Sequence, residues 1–252
     1  NEKLTDLNRM KDVFLSTASH ELKTPLTSVI AYAELLDDHE GKLSREQSRE
    51  FVARLRAEAQ RLLGLIDDIL DLSRLESGKL VLKTRRLDLG EVVHSALETT
   101  RANATKRGVT LEADLGTDLP TLVLDEVKMR QVLVNLVVNA VKFSPKGSNV
   151  VVRTRLDDQH VRLEVTDQGR GIEPDIATHI FELFGQGAPL DDEDVRGGLG
   201  IGLHLVKRLS ELHGGHVGMN SRPGEGSTFW VRLPVSSAFV AEGDGPEQAK
   251  AA

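Results

Sequence analysis

The chain of 252 residues contains no cysteine. This absence excludes disulfide bonds, thiolate metal sites and a cysteine nucleophile. The sequence also has no apolar run near the roughly 18 residues that cross a bilayer, and no signal-peptide pattern. Its net charge of -7 disfavours nucleic acid and anionic membranes as partners. We therefore expect this chain to be cytoplasmic and to have no nucleic-acid partner. We also expect it to be a fragment of a longer protein, for which a membrane anchor is compatible with these observations.

The first 75 residues predict two amphipathic helices. Apolar residues recur at steps of three, four or seven from Leu4 to Leu36 and again from Phe51 to Ile69, which places each set on one helix face. Ser44-Arg-Glu-Gln47 has the form of a capping box, and Pro25 predicts a bend in the first helix. One such hairpin cannot close a core, so we expect two copies to form a dimeric four-helix bundle through residues 1–75.

The remainder of the chain predicts a second domain of mixed structure. Residues 76–87 are expected to form a linker, and helices alternate with mostly antiparallel strands over residues 88–234. The fold class is therefore α+β multidomain, a helical hairpin followed by an α/β sandwich. The stretch Gly185–Gly198, rich in glycine and aspartate, predicts a mobile lid, and residues 235–252 have the composition of a flexible tail.

The segment Ser19-His20-Glu21-Leu22-Lys23-Thr24-Pro25-Leu26 carries the first candidate for chemistry. Imidazole is a usable nucleophile near neutral pH because much of it is uncharged. Glu21 is placed to orient the ring and to accept its proton. His20 falls outside the apolar stripe, so core packing does not account for it. A solvated surface histidine remains the alternative for this motif taken alone.

Asn135, Asn139 and Lys142 are spaced i, i+4 and i+7, which places them on one face of a predicted helix. Amide oxygens suit a hard cation such as Mg²⁺, and a lysine ammonium suits phosphate oxygens. The alternative is a solvated polar face, opposite the apolar residues of the same helix.

Three segments with glycines complete the candidates. In Asp167-Gln-Gly169-Arg-Gly171, a carboxylate at a strand end can accept the amino group of a base such as adenine, although many β-turns share this pattern. Gly197-Gly198-Leu-Gly200-Ile-Gly202 leads into a helix whose free N–H groups favour phosphate. It fits neither a P-loop nor a dinucleotide-binding fingerprint. Gly224-Glu-Gly226-Ser-Thr228-Phe229 predicts a tight hairpin, for which a plain β-turn is the alternative.

The order and spacing of these segments are more specific than any one of them. The His-Glu-Leu-Lys-Thr-Pro-Leu box, the Asn/Asn/Lys box, D-x-G-x-G, the pair Phe181 and Phe184, G-x-G-x-G and the final hairpin resemble six boxes of bacterial sensor histidine kinases, called H, N, G1, F, G2 and G3. The resemblance spans residues 10–234. It implies a dimerisation and phosphoacceptor hairpin in residues 1–75. For residues 88–234 it implies an ATP-binding domain of the kind shared with gyrase and Hsp90-type chaperones.

The resemblance also implies a role for each matching residue. His20 would be the phosphoacceptor, Glu21 the general base, and Thr24 would position water for dephosphorylating a response regulator. Asn139 would coordinate Mg²⁺ with support from Asn135. The residues implied to contact ATP are Asn135, Asn139, Lys142, Phe143, Asp167, Gly169, Gly171, Gly198, Leu199, Gly200, Gly202 and Thr228, with Arg196 steadying the γ-phosphate.

Two positions depart from the family pattern. Phe143 stands where tyrosine is common, which removes a hydroxyl near the ribose and phosphates. Leu199 stands where some members carry a polar residue able to reach the metal, so metal ligation would depend more on Asn135 and Asn139. Neither change argues for an inactive enzyme.

The expected activity is that of a protein-histidine kinase dependent on ATP and Mg²⁺. It would pass the phosphoryl group to an aspartate of a response regulator and would also dephosphorylate that regulator. An upstream sensor domain, absent from this chain, would regulate both activities. A chaperone-like or topoisomerase-like ATPase is the first alternative, and it predicts hydrolysis without phosphohistidine. A dimeric scaffold that binds nucleotide without turnover is the second. The histidine box argues against the first, and Asn139 and Asp167 argue against the second.

Overall fold

The computed structural model describes residues 2–39, 42–183 and 200–235, with side chains of the first helix from Ser16 onward. Within these residues the chain forms two compact units, which divide at Leu80–Val81, Phe181–Glu182 and Leu205–Val206. The predicted lid and all but the first residue of the predicted tail lie outside the described residues. No described helix is long and apolar enough to cross a membrane.

The first unit is built on a helical hairpin. Helix α1 covers Glu2–Asp38 and runs through Pro25, and helix α2 covers Arg45–Glu76. The predicted capping box is confirmed, because the Ser44 hydroxyl accepts from the Gln47 N–H at 3.1 Å and Gln47 Oε1 accepts from the Ser44 N–H at 3.0 Å. Both bonds satisfy N–H groups that the start of a helix leaves free.

Aromatic and polar contacts join the two helices of the hairpin. The rings of Tyr32 and Phe51 lie 5.9 Å apart, and Arg54 Nη1 donates to the Tyr32 hydroxyl at 3.3 Å. Large apolar side chains nevertheless stay exposed on both helices, including Leu26 at 46% and Leu63 at 59%. A single chain therefore leaves part of the apolar stripes uncovered.

The second unit contains a five-stranded sheet in the order β2-β4-β5-β7-β6. Strands β2 and β4 are parallel and the other pairs are antiparallel, so the prediction of mostly antiparallel strands is confirmed. Strands β1 and β3 pair separately, so part of the stretch predicted as a linker is a paired strand. The strands are β1 (Arg85–Leu87), β2 (Thr110–Leu115), β3 (Leu122–Leu124), β4 (Asn149–Asp157), β5 (His160–Asp167), β6 (His216–Arg222) and β7 (Gly226–Pro234).

Helices cover one side of this sheet. Helix α3 begins after Asp88, whose Oδ1 accepts from the Gly90 N–H at 2.7 Å, and α4 begins after Asp125, which bonds the Lys128 N–H in the same way at 3.1 Å. Helices α3 and α4 pack together, and α4 lies against β4 and β5, where alternate strand residues are fully buried. The helices are α3 (Leu89–Arg107), α4 (Glu126–Phe143), α5 (Pro174–Ala177) and α6 (Gly202–Leu212).

A buried histidine ties the start of α4 to the end of α6. His213 is 4% exposed, its Nε2 accepts from the Asp125 N–H at 3.0 Å, and its Nδ1 lies 2.7 Å from the Leu209 carbonyl oxygen. Because Nε2 accepts, the single proton of the neutral ring sits on Nδ1 and is donated to Leu209. Asp125 also accepts from the Lys83 N–H at 2.8 Å, so the same network holds the segment before β1.

Acid is expected to destabilise the second unit through His213. Burial lowers the pKa of His213, although its bond to Leu209 and the nearby Asp125 act in the opposite direction. The unfolded chain takes up the proton near the ordinary pKa of about 6.5, so the stabilisation is complete above that pH and declines below it. Urea unfolding followed by the fluorescence of Trp230, the only tryptophan, should show this decline between pH 7 and pH 5.

His213→Gln should reduce that pH dependence, because glutamine stays neutral throughout the range. His94→Gln, which replaces an exposed histidine of α3, should preserve it. Equal pH dependence in the two variants would contradict the role assigned to His213.

Candidate functional site

Asp167 ends β5 and is only 5% exposed. Its Oδ1 accepts from the Gly169 N–H at 2.8 Å and from the Ser227 N–H at 3.2 Å. Burial raises the pKa of Asp167, and the two backbone hydrogen bonds oppose this rise because they favour the charged carboxylate. With Oδ1 occupied, Oδ2 is the atom left to accept from a ligand amino group.

The loop after Asp167 returns to the end of α4. A Cβ atom at Gly169 would lie 2.6 Å from the Phe143 carbonyl oxygen and 2.8 Å from Asp167 Oδ1, closer than side-chain carbons approach such atoms. Gly171 has a φ of +72° and faces the Arg222 carbonyl. A glycine at 169 therefore lets the backbone bring Asp167 and the last turn of α4 together.

The predicted polar face of α4 is half-buried at Asn135, Asn139 and Lys142. Asn135 Nδ2 is shielded from water and has no hydrogen-bond partner among the described residues. A shielded amide without a partner costs about 1 to 3 kcal/mol, so this side chain is suited to a ligand.

The donor set on α4 fits one particular mode of Mg²⁺ binding. Within the described ranges, no three His, Asp or Glu side chains gather into a metal-binding group. Mg²⁺ usually keeps several waters and shares one or two protein oxygens with substrate phosphates. The amide oxygens of Asn135 and Asn139 suit that mode, and Lys142 follows them on the same helix with an ammonium that suits phosphate.

Phe143 ends α4 with its side chain 36% exposed. Lys142 Nζ lies 5.3 Å from the ring centroid and Arg170 Cζ lies 5.5 Å from it, within the range of cation–π attraction. Arg170 belongs to the loop after Asp167, so cations from this loop and from α4 meet at the Phe143 ring. Arg170 was not predicted as a site residue; its position between the glycines of D-x-G-x-G was the available signal.

Ser227 and Thr228 lie on opposite faces of β7. Ser227 is directly opposite Asp167 in the register of β5 and β7 and donates its N–H to that carboxylate. Thr228 Oγ1 instead lies 3.1 Å from Thr166 Oγ1. Ser227 therefore lies beside Asp167, and the predicted site residue Thr228 lies beside Thr166.

A cleft of about 780 Å³ opens beside Asp167. Its walls come from the ends of β5, β6 and β7 and from α5, and they include Ser227 and Thr228. The described residues of α4 do not line it. The cleft makes Asp167 reachable although its side chain is buried.

The glycine stretch before α6 is described only at its end. Gly200 has a φ of +66°, and Gly202 is the first residue of α6. The predicted site residues Arg196, Gly198 and Leu199 lie outside the described residues.

His20 lies exposed on α1. The neighbouring Glu21 side chain is 15% exposed, and its Oε2 lies 3.6 Å from Arg61 Nη2 of α2. Thr24 Oγ1 donates to the His20 carbonyl oxygen at 3.1 Å. The next residue, Pro25, has no N–H to donate to the carbonyl oxygen one turn earlier in the helix. The helix therefore presents the His20 side chain to solvent and turns Glu21 toward α2.

Family models match two parts of the chain. Residues 10–78, which include His20, match the His Kinase A (phospho-acceptor) domain. Residues 124–237, which include Asn139 and Asp167, match the histidine kinase-, DNA gyrase B- and HSP90-like ATPase.

Similar proteins carry both parts. Sensor protein DivL of Caulobacter vibrioides is 38% identical over 231 residues, covering 92% of this chain and 29% of that protein. The circadian input-output histidine kinase CikA of Synechococcus elongatus is 39% identical over 232 residues, covering 90% and 30%. The crystal structure of full-length ShkA in complex with AMPPNP is 35% identical, with a TM-score of 0.64, covering 87% of this chain and 45% of that one.

The fold and the matched regions together define a phosphoacceptor helical hairpin followed by an ATPase-type sandwich. The chain belongs to the sensor histidine kinases, which confirms both the resemblance and the predicted fold class. It spans less than a third of the length of the curated relatives named above.

Proposed function

We propose that the chain is the catalytic core of an ATP-dependent protein-histidine kinase in a two-component system. The observation that carries this proposal is the exposed side chain of His20 next to the largely buried carboxylate of Glu21. A ring in solvent can be reached by a phosphoryl donor, and an adjacent carboxylate can take its proton.

In the proposed reaction, a neutral ring nitrogen of His20 attacks the γ-phosphorus of ATP. A nitrogen–phosphorus bond forms, the bond from phosphorus to the β,γ-bridging oxygen breaks, ADP leaves, and the ring proton passes to Glu21. Such a transfer depends mainly on alignment and charge stabilisation. Arg61, which lies against Glu21, would fix the direction of that carboxylate.

The nucleotide would bind in the second unit. Asp167 Oδ2 would accept the adenine amino group, with Ser227 beside it, and the AMPPNP bound to ShkA supports an adenine nucleotide for this chain. Mg²⁺, when bound, neutralises phosphate charge and would be held by Asn139 with support from Asn135. Further contacts are proposed for Lys142, Phe143, Gly169, Gly171, Gly198, Leu199, Gly200, Gly202 and Thr228, with Arg196 at the γ-phosphate.

The proposed partners are a second copy of the chain and a response regulator. Leu26, Ile30, Leu63 and Leu70 are exposed apolar side chains of the hairpin, and their burial would favour a homodimer through residues 1–75. The regulator would receive the phosphoryl group on an aspartate. Thr24 donates its hydroxyl proton to the His20 carbonyl, so its lone pairs remain to position water in the dephosphorylation reaction.

His20→Gln is expected to abolish phosphorylation while leaving nucleotide binding intact. The purified chain is incubated with γ-labelled ATP and Mg²⁺, and label per chain is counted. Because the variant lacks the nucleophile, label should fall at least about 1,000-fold, while the ATP affinity of the second unit stays unchanged. His94→Gln, at an exposed histidine of α3, should label like the wild type.

Label retained by His20→Gln would place the acceptor on another residue. ATP hydrolysis without any label in the wild type would favour the chaperone-like ATPase. Bound nucleotide with neither label nor hydrolysis would favour the scaffold.

A further inference from the structure

Ser221 of β6 joins three segments around Asp167. Its Oγ lies 2.9 Å from the Ile172 backbone nitrogen, 2.9 Å from the Gly226 carbonyl oxygen and 2.9 Å from Ser227 Oγ. Ile172 ends the glycine loop that follows Asp167, and Gly226 and Ser227 begin β7. One hydroxyl group therefore links the loop, the edge strand and the strand opposite Asp167.

The positions of the hydroxyl protons follow from the partners of Ser221. The Ile172 N–H donates to Ser221 Oγ. The Gly226 carbonyl has no proton to give, so the one hydroxyl proton of Ser221 is donated to it. The proton between the two serine hydroxyls must then come from Ser227. Because Ser227 donates its only hydroxyl proton to Ser221, Ser227 Oγ can act only as an acceptor toward any further group.

Ser227 and Asp167 present their acceptors side by side. The two residues are directly opposite in the register of β5 and β7, and both are buried on the same face of the sheet. Side chains of such a pair are close neighbours, with Cβ atoms about 5 Å apart. A 6-aminopurine offers a donor to this pair of acceptors, whereas a 6-oxopurine offers another acceptor.

We infer that Ser221 is a positioning residue, which fixes the Ser227 hydroxyl as an acceptor and so contributes to the selection of adenine over 6-oxopurine nucleotides. This inference rests on the proposed function, because it requires the base to bind at Asp167. Without Ser221, the Ser227 hydroxyl is free to turn and to donate its proton to a 6-oxo group, which reduces the discrimination.

The test compares ATP with ITP, which differ at the purine 6-position and at N1. The Mg²⁺ complexes are titrated into the purified chain by calorimetry, and the ratio of the Kd for ITP to the Kd for ATP is measured. Ser221→Ala should lower this ratio about tenfold, and Ser221→Thr, which keeps the hydroxyl, should preserve it. Ser210→Ala is the matched control, because Ser210 Oγ is buried without a hydrogen-bond partner among the described residues.

A purely structural role for Ser221 predicts a different result. Loss of the acceptor for the Ile172 N–H would then weaken both nucleotides equally and leave the ratio unchanged, which would overturn the inference. In a Ser227→Ala background, Ser221→Ala should not change the ratio further, since its effect acts through the Ser227 hydroxyl. A further change would also overturn the inference. A wild-type chain that binds neither nucleotide would instead overturn the proposed function itself.

Discussion

Asp167→Asn should weaken ATP binding by about 100-fold. Two backbone N–H groups hold Oδ1, at 2.8 and 3.2 Å, so asparagine would keep its oxygen there and turn its amide nitrogen toward the ligand. A donor would then oppose the adenine amino group, and a charge-assisted hydrogen bond of about 1.5 to 3 kcal/mol would be lost. Calorimetric titration with Mg²⁺-ATP measures the change.

Asp175→Asn provides the matched control for this prediction. Asp175 is exposed on α5, so the substitution removes the same formal charge without altering the Asp167 hydrogen bonds. It should keep the wild-type affinity. Asparagine keeps an oxygen that accepts from the Gly169 and Ser227 N–H groups, so Asp167→Asn should not lose affinity by unfolding. Unchanged affinity in Asp167→Asn would remove this residue from the site.

Gly226→Ala should destabilise the second unit by about 2 to 5 kcal/mol and abolish nucleotide binding. Gly226 has a φ of +89°, and a Cβ atom there would overlap the Asp167 carbonyl oxygen. The left-handed backbone costs a residue with a side chain about 1 to 2 kcal/mol. Overlap with the backbone of β5 adds about 1 to 3 kcal/mol and displaces the strand end that carries Asp167. Thermal unfolding followed by Trp230 fluorescence measures the loss.

Gly224 supplies a control within the same hairpin. Its φ is +79°, but no atom lies within 4 Å of a Cβ atom built at this position. Gly224→Ala should therefore show only the backbone cost of about 1 to 2 kcal/mol. Equal destabilisation by the two substitutions would show that the approach of Gly226 to Asp167 does not matter.

Local signals predict a large part of this fold. Ser44 and Asp88 mark helix starts, because a short polar side chain can accept from an N–H group two or three residues later, and both bonds are present. Asp158 has a φ of +54° in the turn between β4 and β5, a conformation that aspartate tolerates. None of these features depends on a distant part of the chain.

Features made by long-range pairing could not be predicted in the same way. Strand β1 has three residues and is defined by its pairing with β3, so its local pattern resembles a linker. The bond between Asp125 and His213 joins residues 88 positions apart. At the candidate site, the register of β5 and β7 decides whether Ser227 or Thr228 lies opposite Asp167, since a shift of one residue exchanges the two faces.

The most direct test of the account is the chemical stability of the phosphorylated chain. After incubation with γ-labelled ATP and Mg²⁺, the protein is divided between acid and base and the remaining label is counted. The account predicts a phosphorus–nitrogen bond at His20, so label should be lost in acid and retained in base. Label that survives acid would indicate an oxygen ester on another residue and would contradict the assignment of His20 as the phosphoacceptor.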